Sequence, residues 1–369
     1  MAYRIVEITK PSEVHVTNHQ LIVEQEEAKF SIPLEDIEII ICIGAKIRFS
    51  TIGLGEITQA RIIVVGFGKK HEPQTLIEPY FPNQRHVTLL QNQINMNEDF
   101  KNQLWDKIIK RKILNSARNL AILGLEGFEK ISEYSSSVKN GDEKNIEAMA
   151  AQEYFQFYHK GLNRRTSDPV NSALNYGYAI IRSYIIKALI STGFHCALGL
   201  HHHNEYNSFN LADDLIEPCR AMIDQAAFSI IGNDINLSTK QRRELTGVLH
   251  KNCKIDEKII QISNGIETMV DSLKNAILQQ NIELLKLPFF LIFIIWSIEF
   301  ENNCNVKSIK QIRNKNCIKH QNRIKEFLPK TGTVRMLILT ENQFSSCVLS
   351  QEEVDLQEFH VGAKDLVTL

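Results

Sequence analysis

Residues 168–193 read DPVNSALNYGYAIIRSYIIKALISTG, and this stretch decides the fold. Asp168 followed by Pro169 is an acidic cap with proline at the first helical position. Tyr178, Ile181, Ile185 and Leu189 then recur at helical spacing, and Gly193 supplies a stop. A long helix with one apolar stripe is predicted. Two similar patterns precede it. Phe100, Leu104, Ile108, Ile113, Ala117 and Leu120 form a stripe introduced by Asn95 and Glu98, which are spaced as a capping box. Ile146, Ala150, Tyr154 and Phe157 form another, with Asn140 and Glu143 as a second box. Downstream, helices are predicted over about 210–230, 238–250 and 255–285.

Upstream the character is β. Val14–Val23 is short and mixed, Ile37–Ile43 is isoleucine-rich, and Arg61–Gly66 reads RIIVVG. Gly53, Gly55, Gly66 and Gly68 read as turns rather than a nucleotide loop. GxGxxG fails at His71, and GxxxxGK[ST] occurs nowhere. The expected class is therefore α+β. An N-terminal β-sandwich-like domain (1–90) precedes an all-helical domain (91–287) and a short mixed C-terminal appendix (288–369).

The chain has 369 residues, 42 Lys+Arg, 43 Asp+Glu and a formal net charge of −1, which excludes disorder and a uniformly basic nucleic-acid binder but not local basic faces. Its 7 cysteines lack CxxC spacing, so neither a disulfide framework nor a thiolate zinc site is expected. The N-terminus has no apolar signal segment, and the run FFLIFIIW (289–296) is far shorter than the ~20 residues a membrane span needs. A cytoplasmic protein without membrane contact is expected.

Two clusters offer chemistry. One is His201-His202-His203-Asn204. The other is Asp213-Asp214-Leu-Ile-Glu217, with Arg220 three residues on. On a continuous helix the three carboxylates share one side and repel, unless Arg220 or a divalent cation lies between them. Carboxylates with one imidazole suit Mg²⁺ or Mn²⁺ better than zinc. From spacing alone the metal signal is weak, and helix-dipole acids and a solvated histidine loop remain open. Basic clusters stand at Lys107, Lys110, Arg111 and Lys112, at Arg164 and Arg165, and at Arg242 and Arg243. They read either as solvated faces or as phosphate contacts.

Three segments together resemble the CRISPR-associated integrase (CRISPR-associated protein 1) of type II systems. NIEAMAAQEYF (145–155) is similar to the family's EAxAAxxYF helix. DPVNSALNYGY (168–178) is similar to its DxxNxxLNYGY helix, and His202-His203-Asn204 with FNLADDLIEP (209–218) to its HxN and FxLADDLxEP pair. The resemblance implies a metal-dependent integrase acting on double-stranded DNA, both protospacer and CRISPR repeat. The family's metal and catalytic triad falls on Glu147, His202 and Glu217, with Mg²⁺ or Mn²⁺ as cofactor. It places Asp213, Asp214 and Arg220 around that triad, leaves His201 and His203 as alternatives to His202, and implies a homodimer and a bridging subunit as partners. A DNA endonuclease that cuts without joining, and a non-catalytic DNA-binding scaffold, are the competing readings. Asn322–Phe344 is similar to the end of the ferredoxin-like bridging subunit, CRISPR-associated protein 2, so the appendix reads as a shortened fusion, either a degenerate remnant, the favoured reading, or a genuine β element added to the complex.

Overall fold

The computed structural model describes residues 4–44, 46–68, 73–79, 86–164, 166, 168–230 and 234–289 in full, and beyond them only the backbone of short strands. Strands β1 (Arg4–Ile8), β2 (Ser12–Thr17), β3 (Gln20–Glu24), β4 (Lys29–Pro33), β5 (Ile37–Cys42) and β6 (Ile47–Phe49) lead into helix α1 (Thr51–Gln59). Strands β7 (Ile63–Phe67) and β8 (Pro73–Ile77) complete the β region. Two sheets result, ordered β1-β5-β7-β8 and β4-β3-β2-β6. Gly53 and Gly55 lie inside α1 and Gly66 inside β7, so these glycines are not the turns their spacing predicts.

The isoleucine-rich strands are apolar on both faces because both are covered. Val6, Ile40 and Val64 pair across the sheet and pack with Val14, Leu21 and Val23 of the smaller sheet, which makes the sandwich. The alternate row, Ile5, Ile39 and Ile63, joins the helical core instead.

The helical region comprises α2 (His86–Ile94), α3 (Glu98–Ile122), α4 (Phe128–Ser137), α5 (Ile146–Tyr158), α6 (Pro169–Thr192), α7 (Asn210–Leu215), α8 (Arg220–Ile230) and α9 (Thr239–Thr246). After α9 come hairpin β9 (Asn252–Ile255) and β10 (Lys258–Gln261), then α10 (Ile262–Gln279). Helix α6 has the expected ends. Asp168 accepts from the Asn171 amide at 2.8 Å, and Gly193 closes it at φ +97°. At Gly177 a Cβ would lie 2.5 Å from Ile223 Cγ2, so glycine sets the close approach of α6 and α8.

Three expectations are corrected. The cap of α3 is Asn97, which accepts from the Phe100 amide, not Asn95 with Glu98. Residues 210–230 are two helices separated by a 3₁₀ turn, Glu217–Cys219, at Pro218. Residues 252–261 form the hairpin rather than the start of a helix.

Arg242 was expected on a DNA-contacting face. It reaches instead from α9 to Glu7 of β1, with Nε 2.8 Å from Oε1 and Glu7 only 1% exposed. That buried ion pair joins the β and helical regions. Packing continues through Pro288 and Phe289. Phe289 is buried and exchanges two backbone hydrogen bonds with Lys254 (2.8 and 3.0 Å). Beyond it, Ser297–Phe300 pairs with Val306–Lys310, Phe293–Ile294 pairs with Leu337–Ile338, and Leu366–Thr368 adds to the β1 edge in parallel. The likeness of Asn322–Phe344 to the bridging subunit, and the side chains of the apolar run after Phe289, lie outside the described residues.

Candidate active site

A cleft of about 240 Å³ is walled by α3, α4, α5, α6, α8, the 3₁₀ turn and Arg164 of the loop before α6. The loop before α5 is folded by two carboxylates in series. Asp106 on α3 accepts from the amides of Gly141 (2.9 Å) and Asp142 (3.1 Å). Asp142 then accepts from the amides of Ile146 and Glu147, both at 2.9 Å. Asp142, not Asn140, therefore caps α5 and fixes where Glu147 leaves the helix.

Glu147 and Glu217 meet at Lys112. Its ammonium ion-pairs with Oε1 of Glu147 and Oε2 of Glu217, and its side chain is 12% exposed. The expectation that Lys112 contacts DNA from an outer helix face is thus corrected, because it is enclosed between two acids. Arg220 is the expected neutralising partner of Glu217, with Nε 2.9 Å from Oε1. Burial alone would raise the Glu217 carboxyl, but Arg220 and Lys112 outweigh it and hold it at about 2. Glu217 Oε2 is buried, with the Lys112 ammonium beside it.

The three carboxylates of 213–217 do not share one side, because the helix ends before Glu217. Asp213 turns to α6, where Arg182 pairs with it and Asn207 donates to it. That corrects its expected place beside the triad. Asp214, fully buried, organises the histidine loop. It accepts from the amides of Leu200 (2.6 Å), His201 (3.2 Å) and His202 (3.1 Å). It also lies 2.7 Å from His202 Nδ1. Gly199 permits the turn, since a Cβ there would fall 2.2 Å from the His202 carbonyl oxygen.

The same geometry separates the three histidines. His201 stacks on Trp105 with ring centroids 4.4 Å apart, and burial lowers its pKa. His203 is exposed and bonds only the His201 carbonyl. His202 holds Nδ1 on Asp214 while 42% of its side chain stays accessible, which leaves Nε2 available. The hydrogen bond to Asp214 raises its pKa, and Glu217 contributes to the same rise. Among the described residues no three His, Cys, Asp or Glu side chains stand in metal-holding geometry. The Lys112 ammonium occupies the place between the two glutamates where a cation would sit.

The remaining cationic residues are dispersed. Lys107 donates to the Ile282 carbonyl (3.0 Å) and faces Glu283 at 3.6 Å. Lys110 lines a shallow depression beside it. The Arg111 guanidinium lies 4.7 Å from the Phe289 ring centroid, an interior contact rather than part of the expected basic face. Arg164 lines the cleft and donates to Asn175 (3.0 Å) and to Asn171. Arg243 is exposed, and Arg165 lies outside the described residues.

Sequence reasoning missed a buried group behind the cleft. Asp224 accepts from Tyr154 (2.9 Å) and Tyr178, and Asn119 donates to Tyr154 (2.7 Å). Burial raises Asp224 to about 6. Both tyrosines fall inside the motif helices, which was the only signal available.

A model of the family described as CRISPR associated protein Cas1 matches residues 6–260. A protein of Neisseria meningitidis serogroup C (strain 8013), named CRISPR-associated endonuclease Cas1, is 30% identical over 296 residues, covering 79% of this chain and 97% of that protein. Among solved structures, a casposase bound to integration product superposes with a TM-score of 0.64 at 16% identity, over 88% of this chain and 100% of that one. A Cas1 protein from Thermotoga maritima gives 0.60 at 15% identity, over 74% and 97%. A chain of a Cas6-RT-Cas1–Cas2 complex gives 0.63 at 20% identity, over 77% and 36%. These structural likenesses establish the fold.

Proposed function

The chain belongs to the CRISPR associated protein Cas1 family, and from that premise we propose that it is a metal-dependent DNA integrase of CRISPR adaptation. The observation that carries the reading is the pair of glutamates, Glu147 and Glu217, bridged by one ammonium at the wall of an arginine-lined cleft. Two carboxylates held together both stay ionised at neutral pH when a cation lies between them. Glu147, Glu217 and the Nε2 of His202 are the donor set we assign to Mg²⁺ or Mn²⁺. Oxygens of both glutamates already converge on one cation, the Lys112 ammonium, which suits that assignment. When bound, the ion supplies Lewis-acid activation of a 3′-hydroxyl and charge screening at the attacked phosphodiester.

The chain's own groups do the rest. Asp214 holds His202 in the tautomer that offers Nε2. Arg220 keeps Glu217 ionised. Arg164, which lines the cleft, is the arginine we assign to the phosphodiester backbone. The partners we assign are protospacer and repeat DNA, a second copy of the chain, and a bridging subunit. A chain of the same fold stands in a Cas6-RT-Cas1–Cas2 complex, which supports the bridging subunit, and a casposase of the same fold is bound to integration product, which supports joining.

The test combines short duplex DNA, a supercoiled repeat-bearing plasmid and Mn²⁺, with and without the separate bridging subunit. Covalent joining is expected. Glu147→Gln and Glu217→Gln should abolish it and keep DNA binding. Cleavage without joining would favour an endonuclease, and binding alone a scaffold. Normal joining by either variant would overturn the metal-site assignment.

A further inference from the structure

The segment after the 3₁₀ turn Ile282–Leu284 is docked tightly against the helical core. Leu285 is 1% exposed and Leu287 is 7% exposed. Between them the Lys286 amide donates to Ser272 on α10 at 2.9 Å. Phe289 is bridged to β9 through both its backbone groups. Its ring is covered by two guanidinium groups of α3, with Arg118 at 3.4 Å and Arg111 at 4.7 Å from the centroid. Cation–π contact with two arginines in a closed setting is a specific anchor, not incidental packing.

The anchor leads to the active site through one side chain. Asn115 of α3 is fully buried, and its amide nitrogen donates to two carbonyls, Pro288 at 3.0 Å and Pro218 at 2.8 Å. Pro218 directly follows Glu217 in the 3₁₀ turn. The amide therefore ties the Pro218–Cys219 peptide, one residue past Glu217, to the docked segment and to the helix that carries Lys112. A buried carbonyl left without its donor is costly, so the turn keeps its place only while Asn115 is held.

We propose that Leu285–Phe289 is a strap that positions Glu217, with Asn115 as the positioning residue that transmits it. The proposal rests on the assignment of Glu217 as a metal-binding carboxylate. The functional unit then extends through Phe289, and the strap acts on cation affinity at the turn rather than on DNA binding.

The full-length chain tests this through Asn115→Ala and Phe289→Leu. Mn²⁺ affinity is measured by calorimetry, and amide exchange is followed at Cys219 and Arg220. Asn115→Ala should weaken Mn²⁺ binding by about tenfold, in the range found when groups behind metal ligands are removed. Exchange at the two amides should accelerate, DNA affinity should hold, and joining should recover at raised Mn²⁺. Wild-type Mn²⁺ affinity and wild-type exchange in a folded Asn115→Ala protein would overturn the proposal. Should that variant fail to fold, Phe289→Leu decides by the same two readings. Glu217→Gln separates the two claims. If it binds Mn²⁺ as tightly as wild type, the Glu217 assignment fails, and the strap then stands or falls on the exchange rates.

Discussion

Replacing Lys112 with methionine removes the one ammonium that touches both Glu147 and Glu217 and keeps most of its volume. Arg220 remains on Glu217, so the buried carboxylate loses part of its support, not all of it. The Glu217 carboxyl is held at about 2, against 4.5 for an ordinary glutamate. At ~1.36 kcal/mol per pKa unit that depression corresponds to about 3 kcal/mol of native-state preference for the ionised form. Arg220 and Lys112 both contribute to it, and a buried acceptor that loses one of two cationic donors costs about 1–2 kcal/mol. Thermal unfolding in chelator should therefore fall by about 3–6 °C in Lys112→Met.

The sign with metal is the sharper part. In the wild type a divalent cation must displace an internal ammonium, so part of its binding free energy goes to freeing the lysine. In Lys112→Met it enters a site already lacking a cation. Differential scanning fluorimetry with and without saturating Mn²⁺ should show a larger upward shift for the variant, closing most of the gap. A gap of equal size in chelator and in Mn²⁺, or none in either, would refute the reasoning.

Three other outcomes are expected. Breaking the Glu7–Arg242 pair by Arg242→Met should cost about 3–5 kcal/mol, and the double variant Glu7→Met/Arg242→Met should recover much of it, read by urea unfolding as a double-mutant cycle. Asp224 has a native pKa of about 6 against 3.8 for an ordinary aspartate, so the native state binds the extra proton between those values. This group's contribution therefore destabilises the fold as pH rises through that window, by up to about 3 kcal/mol, and Asp224→Asn should flatten that part of the pH–stability curve. Arg243→Ala and Lys110→Ala should each lower the salt slope of DNA binding by about 0.9 per lost phosphate contact, measured by titration at several salt concentrations.

Where the chain encodes structure locally, it could be read. Asp168, Pro169 and Gly193 mark both ends of α6 because the cap, the proline and the left-handed stop are properties of those residues themselves. The stripe on α3 was legible for the same reason: every member from Phe100 to Leu120 is buried. The hairpin at 252–261 was not legible, because its turn places Asp256 and Glu257 at φ +47° and +62° without the Asn-Gly or Asp-Gly pair that normally announces such a turn. The α5 cap was misread by two residues because Asp142 itself sits at φ +61°, held there by Asp106 of another helix. No local pattern reports a carboxylate supplied from 36 residues away.

The triad positions came from motif resemblance, whereas their surroundings needed the fold. Lys110, Arg111 and Lys112 look like one basic patch in the sequence, yet successive helix residues turn by about 100° and cannot share a face. The first lines an outer depression, the second covers Phe289, and the third enters the cleft. Counting charge along the chain therefore overstates what is available to DNA. Arg242 is committed to Glu7, Arg182 to Asp213, Arg220 to Glu217, and Lys112 to both glutamates. A basic residue here must be assigned by the acid it faces, because the same ammonium that would bind a phosphate from outside substitutes for a metal when it is turned inward.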